Sequence, residues 1–322
     1  MTEMYQWGID VINIIQRMES PVFTGLMRFI SGFGSQTFYV PLLLVIFWWI
    51  DEKRGLRLGA LVIISAWINL FLKDLFKLPR PFHLEPSLGL VFVPGFGLPS
   101  GHAQVSLCFW VPVAAWMGNV WKRRRTVIWT AVLFLVVLIA YTRLYLGVHF
   151  PTDIIAGWIA ASIILVILYF AGPHIERVII AGGPRLQNIC AAGIALVMNG
   201  LFPRERSLPA IFLGFCLGYT MMKRRFPFSA QGEINGKKPG IHVMILRCFV
   251  GFAGTAILYL GLSFIFPGED SLFRDFRQWS ADSPFYDLGY FIRYGFLGFW
   301  ASAGAPQVFQ RMGLAQAPGD SL

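Results

Sequence analysis

Charge is scarce in this chain. Asp, Glu, Lys and Arg make up 14% of its 322 residues, where soluble domains carry about 25%. Apolar residues reach 56%, above the roughly 45–50% of ordinary domains. Apolar runs long enough to cross a bilayer recur along the chain, and one soluble core of this size cannot hide them all. These two departures exclude a soluble globular fold and point to an all-α integral membrane protein.

Acidic residues are the scarcest class, 17 against 27 Lys and Arg, for a net charge of +10. Such an excess can serve nucleic acid. Here the basic residues lie between apolar segments and form no basic domain, so a nucleic-acid partner is set aside in favour of topology: Lys and Arg collect in cytoplasmic loops. Cysteine is nearly absent as well. Cys108, Cys190, Cys216 and Cys248 all fall in apolar stretches with no CxxC or metal-ligand spacing, which leaves no disulfide framework and no thiolate metal site. The opening residues, MTEMYQWGID, lack the basic region and apolar core of a cleaved signal, so insertion is expected to be driven by the spanning helices themselves.

Residues 1–35 mix apolar and polar positions at helical spacing and are broken by Ser20-Pro21. They read as interfacial amphipathic helices, with a poorly spanning first helix as the alternative. Spanning candidates follow near 37–50, 56–76, 102–120, 126–145 and 153–172, then near 187–203, 207–222, 241–266 and 285–304. The organisation expected is a core over 36–172 and an additional transmembrane helical module over 173–322. One set of alternate loops holds Lys53, Arg54 and Arg57, then Lys122 to Arg125, then Arg177 and Arg185, then Lys223 to Arg225 with Lys237 and Lys238, and last Arg311. The other set has fewer; its 267–284 loop balances Arg274 and Arg277 against Glu269, Asp270, Asp275 and Asp282. The positive-inside rule then makes the first set cytoplasmic, with about nine transmembrane helices, the N-terminus outside and the C-terminus inside.

Against this apolar background three clusters put charge where a membrane chain should avoid it. Lys73-Asp-Leu-Phe-Lys-Leu-Pro-Arg80-Pro81 closes the second span, and Pro99-Ser100-Gly101-His102 opens the third. Thr142-Arg143-Leu-Tyr-Leu-Gly-Val-His149-Phe-Pro-Thr-Asp153 joins the fourth to the fifth. The topology sets all three at one extracytoplasmic face. Lys73, Arg80 and Arg143 are cations with no matching acidic set, which suits a doubly charged oxyanion. Ser100 stands as the N-cap of a helix whose N-terminus favours anions, and Gly101 permits close approach of its amide to a ligand. His149 and Asp153, four apart at a helix start, allow the carboxylate to hold one imidazole nitrogen and leave the other free to attack. His102 is a second imidazole able to move a proton.

Each piece alone has a plainer reading. A single Lys at a helix end usually snorkels, Ser-Gly-His is a cap, and His149 with Asp153 can be a capped helix start. His102, His149 and Asp153 could also form a two-His-one-carboxylate metal set, but three cations beside it would repel a divalent ion. The plain readings fail jointly, because they leave the shared face unexplained.

The pattern Lys-x6-Arg-Pro, Pro-Ser-Gly-His and Thr-Arg-x5-His-x3-Asp resembles the type 2 phosphatidic acid phosphatase superfamily, over roughly residues 36–172. Lipid phosphate phosphatases, polyprenyl diphosphate phosphatases, glucose-6-phosphatase and vanadium haloperoxidases share that pattern. The resemblance implies a core helical bundle of the phosphatase/haloperoxidase type. It also implies that His149 is a nucleophile forming a phosphohistidine, Asp153 its orienting partner, and His102 an acid and then a base. Lys73, Arg80, Ser100, Gly101 and Arg143 would bind the phosphate, with no metal or other cofactor. Thr142 replaces the usual Ser but keeps a hydroxyl. Farther on, Arg293-Tyr-Gly-Phe-Leu-Gly-Phe299 with Pro306, Phe309 and Met312-Gly-Leu314 looks like the C-terminal end of sphingosine-1-phosphate phosphatases.

The function expected is metal-independent hydrolysis of a lipid phosphate monoester or diphosphate at the extracytoplasmic face of a bacterial inner membrane. The partners are the amphiphilic substrate and membrane lipids. A glucose-6-phosphatase-type enzyme is the alternative, weakened by the presence of Asp153, which that enzyme lacks. A lipid-phosphate binder or transporter predicts degenerate site residues, and none is missing. A haloperoxidase fits soluble chains better.

Overall fold

The computed structural model describes residues 3–266 and 284–316, and the 267–284 loop used in the charge argument lies almost wholly outside them. Thirteen α-helices run in order: α1 (Glu3–Gln16), α2 (Pro21–Gly32), α3 (Gln36–Val45), α4 (Glu52–Phe76), α5 (Pro81–Leu84), α6 (Gly101–Val120) and α7 (Arg125–Tyr145). Then come α8 (Pro151–Ala181), α9 (Gly183–Leu201), α10 (Ser207–Arg225), α11 (Ile241–Ile265), α12 (Pro284–Phe299) and α13 (Ala305–Arg311), a count that covers the described residues. Among the described residues there is one isolated bridge, Ile234 with Lys237, and no strand. This is the outcome a bilayer dictates, since a helix satisfies every backbone group within its own segment. The chain is an all-α integral membrane protein.

Each of the nine spanning candidates coincides with a helix, but five are long and apolar enough to cross: Glu52–Leu84, Gly101–Val120, Lys122–Tyr145, Pro151–Ala181 and Ile241–Ile265. A sixth results if Pro21–Gly32 and Gln36–Ile50, bent by 43°, count as one span. Among the described residues, length and composition therefore do not confirm the expected nine. The shortfall lies in short or polar helices: α12 has 16 residues, and α10 ends in Lys223-Arg224-Arg225.

The helices form two compact units, one of residues 1–41 with 64–173 and one of 42–63 with 174–322. Prolines stand at two of the crossings, Pro41 inside α3 and Pro173 inside α8. In the first unit α6 and α7 form an antiparallel pair, and α1 and α2 pack on α7. Two small apolar cores seat them, Ile9 and Ile12 with Leu88 and Phe150, and Met27 with Tyr145 and Val148.

The second unit has its own core of Phe47, Trp48, Phe215, Met222, Phe228 and Phe309. Trp48 Nε1 donates to the Ala301 carbonyl at 2.8 Å, and Glu52 accepts from Lys223 Nζ at 2.9 Å and from the Ala230 amide at 3.0 Å. Helices α10 and α12 meet backbone to backbone through small residues, the usual device where lipid removes the hydrophobic drive for association. A Cβ on Gly214 would run into the Gly295 carbonyl, one on Gly218 into Ser302 Oγ, and one on Gly298 into the Ile211 carbonyl. Gly214→Ala must push the two helices apart, and overpacking of this kind costs about 1–3 kcal/mol. A lowered melting temperature in detergent is expected, and an unchanged one would contradict this packing.

Candidate active site

The candidate site lies in the first unit, at the end of the bundle where α4 and α7 finish and α6 and α8 begin. Its most constrained member is His149, on the turn between α7 and α8 and only 2% exposed. Asp153 is 2% exposed as well and lies in the first turn of α8, after Pro151, whose ring suits a helix start. One oxygen, Asp153 Oδ2, accepts from the Phe150 amide at 3.0 Å and pairs with His149 Nδ1 at 3.2 Å. The first bond ties the carboxylate to the residue preceding the helix, as in half of a capping box. The other face of the ring meets Arg80: its Nη1 lies 3.3 Å from His149 Nε2. A guanidinium can only donate, so Nε2 must be the accepting nitrogen. A neutral ring then carries its proton on Nδ1 and donates it to Asp153.

Arg80 is itself fixed from all sides. Nε donates to the Gly95 carbonyl at 2.9 Å, Nη2 to Pro94 at 3.2 Å, and Nη1 to Val148 at 3.0 Å. Lys73, in the last turn of α4, donates Nζ to the carbonyls of Phe96 at 2.7 Å and Gly97 at 3.0 Å. Four consecutive carbonyls, 94 to 97, are thus held by two of the cations. Gly97 is required at this point, because a Cβ there would lie 2.8 Å from the Pro79 carbonyl and 3.1 Å from Asp153 Oδ2. Arg143, near the end of α7, is 5% exposed and donates Nη1 to Ser31 Oγ at 2.6 Å.

Ser100 occupies the N-cap position of α6, but its side chain makes no capping bond there. Its Oγ is buried without a partner, while its amide donates to the Asp153 carbonyl at 2.9 Å. The expectation of a serine capping its helix is corrected on this point: the hydroxyl is left over. Gly101 makes its close approach to Asn69, whose Oδ1 a Cβ would meet at 2.9 Å. His102 follows in the first turn of α6. Thr142 spends its hydroxyl on the Ile139 carbonyl of its own helix at 2.6 Å.

All the singled-out charges reach one spot. Burial holds the His149 imidazole well below its ordinary value, and Lys73, Arg80, Arg143 and His102 each push it the same way. Among the described residues, no group of three His, Cys, Asp or Glu gathers at metal-holding distance. What the set offers is a neutral imidazole with an accepting nitrogen, a second imidazole, a hydroxyl without a partner, and three cations with no carboxylate beyond Asp153 among the described residues.

Sequence reasoning missed the layer behind these groups. Asn69 Nδ2 donates to the Pro99 carbonyl at 3.2 Å and to Gln104 Oε1 at 2.9 Å. Gln104 Nε2 in turn reaches the Ser65 carbonyl at 2.9 Å and Ser65 Oγ at 3.2 Å. This buried amide chain ties α4, which carries Lys73, to the turn that carries Ser100 and His102. The available signal was polar side chains inside apolar spans, Asn69 one turn before Lys73 and Gln104 two residues after His102.

The chain is also similar to known proteins. Residues 54–175 match the PAP2 superfamily, and residues 207–317 match the PAP2 superfamily phosphatase transmembrane extension. The chain is a membrane phosphatase of the PAP2 superfamily. An undecaprenyl-diphosphatase of Sulfolobus acidocaldarius is 29% identical to it over 168 residues, 48% of this chain and 74% of that protein. Sphingosine-1-phosphate phosphatase 2 of Mus musculus is 28% identical over 153 residues, 47% of this chain and 43% of the mouse protein. Among solved structures, the transmembrane PAP2-type phosphatidylglycerolphosphate phosphatase of Bacillus subtilis aligns at 22% identity with a TM-score of 0.47, covering 53% of this chain and 88% of that one.

The electrostatics of His149 carry a pH prediction. Its protonated form is disfavoured in the folded protein, so the ring stays neutral down through pH 6.5 and charges only below it. The acid limb of kcat/KM, corrected for ionisation of the substrate, should therefore have its midpoint below pH 6.5. A midpoint at or above 6.5 would contradict the depressed value.

Proposed function

We propose that this phosphatase cleaves the phosphate monoester or diphosphate of an amphiphilic lipid through a phosphohistidine on His149, without a metal. The observation that carries the reading is His149 held between Asp153 at Nδ1 and Arg80 at Nε2, neighbours that select the tautomer with its proton on Nδ1 and its lone pair on Nε2. In the first step Nε2 attacks phosphorus, the bond to the leaving oxygen breaks, and His102 gives that oxygen its proton. Asp153 stabilises the imidazolium character that develops on the ring. In the second step His102 takes a proton from water, the water oxygen attacks phosphorus, and the N–P bond breaks to release phosphate. Lys73, Arg80 and Arg143 balance the charge spread over the equatorial oxygens. The Ser100 hydroxyl and the Gly101 amide supply neutral donors.

An amphiphilic substrate is supported by the site's place at the end of apolar helices, where a head group meets the cations while its tail stays among helices. Relatives named for undecaprenyl diphosphate and sphingosine-1-phosphate act on molecules of this shape. The face is read from charge: Lys122 to Arg125 lie at the far end of α6 and α7 from the site. That arrangement favours a cytoplasmic basic turn and an extracytoplasmic site.

Purified chain should release phosphate from a lipid monophosphate or a polyprenyl diphosphate in excess EDTA. His149→Ala should lower that rate by about a thousandfold or more. Activity that survives the substitution, or that EDTA removes and a divalent ion restores, would sink the reading.

A further inference from the structure

The superfamily match begins at residue 54, yet two contacts with the candidate site come from the chain before it. Ser31, near the end of α2, is 5% exposed and accepts from Arg143 Nη1 at 2.6 Å across 112 residues of sequence. Arg143 has no ion-pair partner among the described residues, and its Nε is buried without an acceptor. A guanidinium on a flexible stem, deprived of a carboxylate, depends on whatever fixes one of its nitrogens. Anchoring Nη1 leaves the Nε–Nη2 edge, the pair of parallel donors that suits two phosphate oxygens at once. Three residues on, Gly34 closes against the second imidazole: a Cβ there would lie 2.8 Å from His102 Cδ2 and 2.6 Å from Ile139 Cγ2.

This segment is held in place by bonds of its own. Thr24 Oγ1 shares a hydrogen bond of 2.7 Å with Tyr145 OH, two residues from Arg143. Gln16 Nε2 donates to the carbonyls of Tyr145 at 2.7 Å and Leu88 at 2.9 Å. The N-terminal helices are therefore docked on the end of α7 that carries Arg143.

We propose that the N-terminal arm is a working part of the phosphate site, in which Ser31 is a positioning residue that holds Arg143 in the orientation that binds phosphate. The proposal rests on the phosphatase reading above. It extends that reading to a segment expected from sequence to lie at the membrane interface.

The test uses the purified full chain with inorganic phosphate as the binding probe and a lipid phosphate as the substrate. Ser31→Ala should raise the dissociation constant of inorganic phosphate and the KM by a similar factor, about tenfold, with KM rising more than kcat falls. Ser31→Thr keeps the hydroxyl and should bring both back to within about threefold of the parent. A purely structural role would reduce the folded fraction without moving the phosphate affinity of the protein that remains. Unchanged phosphate affinity and KM in Ser31→Ala, or failure of threonine to restore them, would overturn the role of Ser31. A parent chain that binds no inorganic phosphate at all would instead overturn the phosphate-site reading.

Discussion

The site hangs on one ring held at both nitrogens. Asp153 can accept from His149 Nδ1, and Arg80 can only donate toward Nε2. Two neighbours of opposite character therefore select one tautomer of a neutral imidazole, and it is the tautomer in which the lone pair belongs to Nε2. Most of the surrounding structure serves to keep those two neighbours still. Asp153 is tied to the helix start through the Phe150 amide. Arg80 is gripped by the carbonyls of Val148, Pro94 and Gly95. On the proposed reading, this arrangement lets a histidine act as nucleophile at neutral pH with no metal to lower its pKa.

Two buried cations and a half-buried one around a buried imidazole would be costly if left bare. The chain offsets that cost with backbone dipoles and hydroxyls in place of carboxylates. Lys73 and Arg80 share the carbonyls of residues 94–97, and Arg143 rests on Ser31 Oγ. A full set of Asp and Glu would neutralise the site. On the proposed reading, carbonyls orient the cations and leave their charge for a doubly charged phosphate. The same logic explains the loop's composition: Gly97 admits the close approach to the Pro79 carbonyl and Asp153, and no larger residue would fit.

Much of the site was legible because charged residues inside a membrane chain stand out. Lys73, Arg80, Arg143, His102, His149 and Asp153 were visible as charge in apolar surroundings, and their spacing carried a family resemblance. Residues that work through ordinary side chains were not legible. Ser31, Asn69 and Gln104 are common polar residues on helices, and only the fold brings them to the turns they hold. Gly34 and Gly97 were equally silent, since a glycine's close approach depends on what it faces. In the fold, the helix positions followed from apolar runs, whereas crossing depends on length and polarity at helix ends. The candidates at 187–203, 207–222 and 285–304 form α9, α10 and α12 without meeting the demands of a full span. The contact of α10 with α12 rests on Gly214, Gly218 and Gly298, a pairing that no single helix pattern reveals.

A covalent bond between phosphorus and His149 can be looked for directly. An aryl phosphate with a labelled phosphoryl group needs no acid for its leaving group, so His102→Ala should still be phosphorylated but slow to lose the label to water. Rapid quenching should then trap a label that survives alkali, is lost in acid, and maps to His149. A label on any other residue, or none on that histidine while aryl alcohol is released in a burst, would contradict the account.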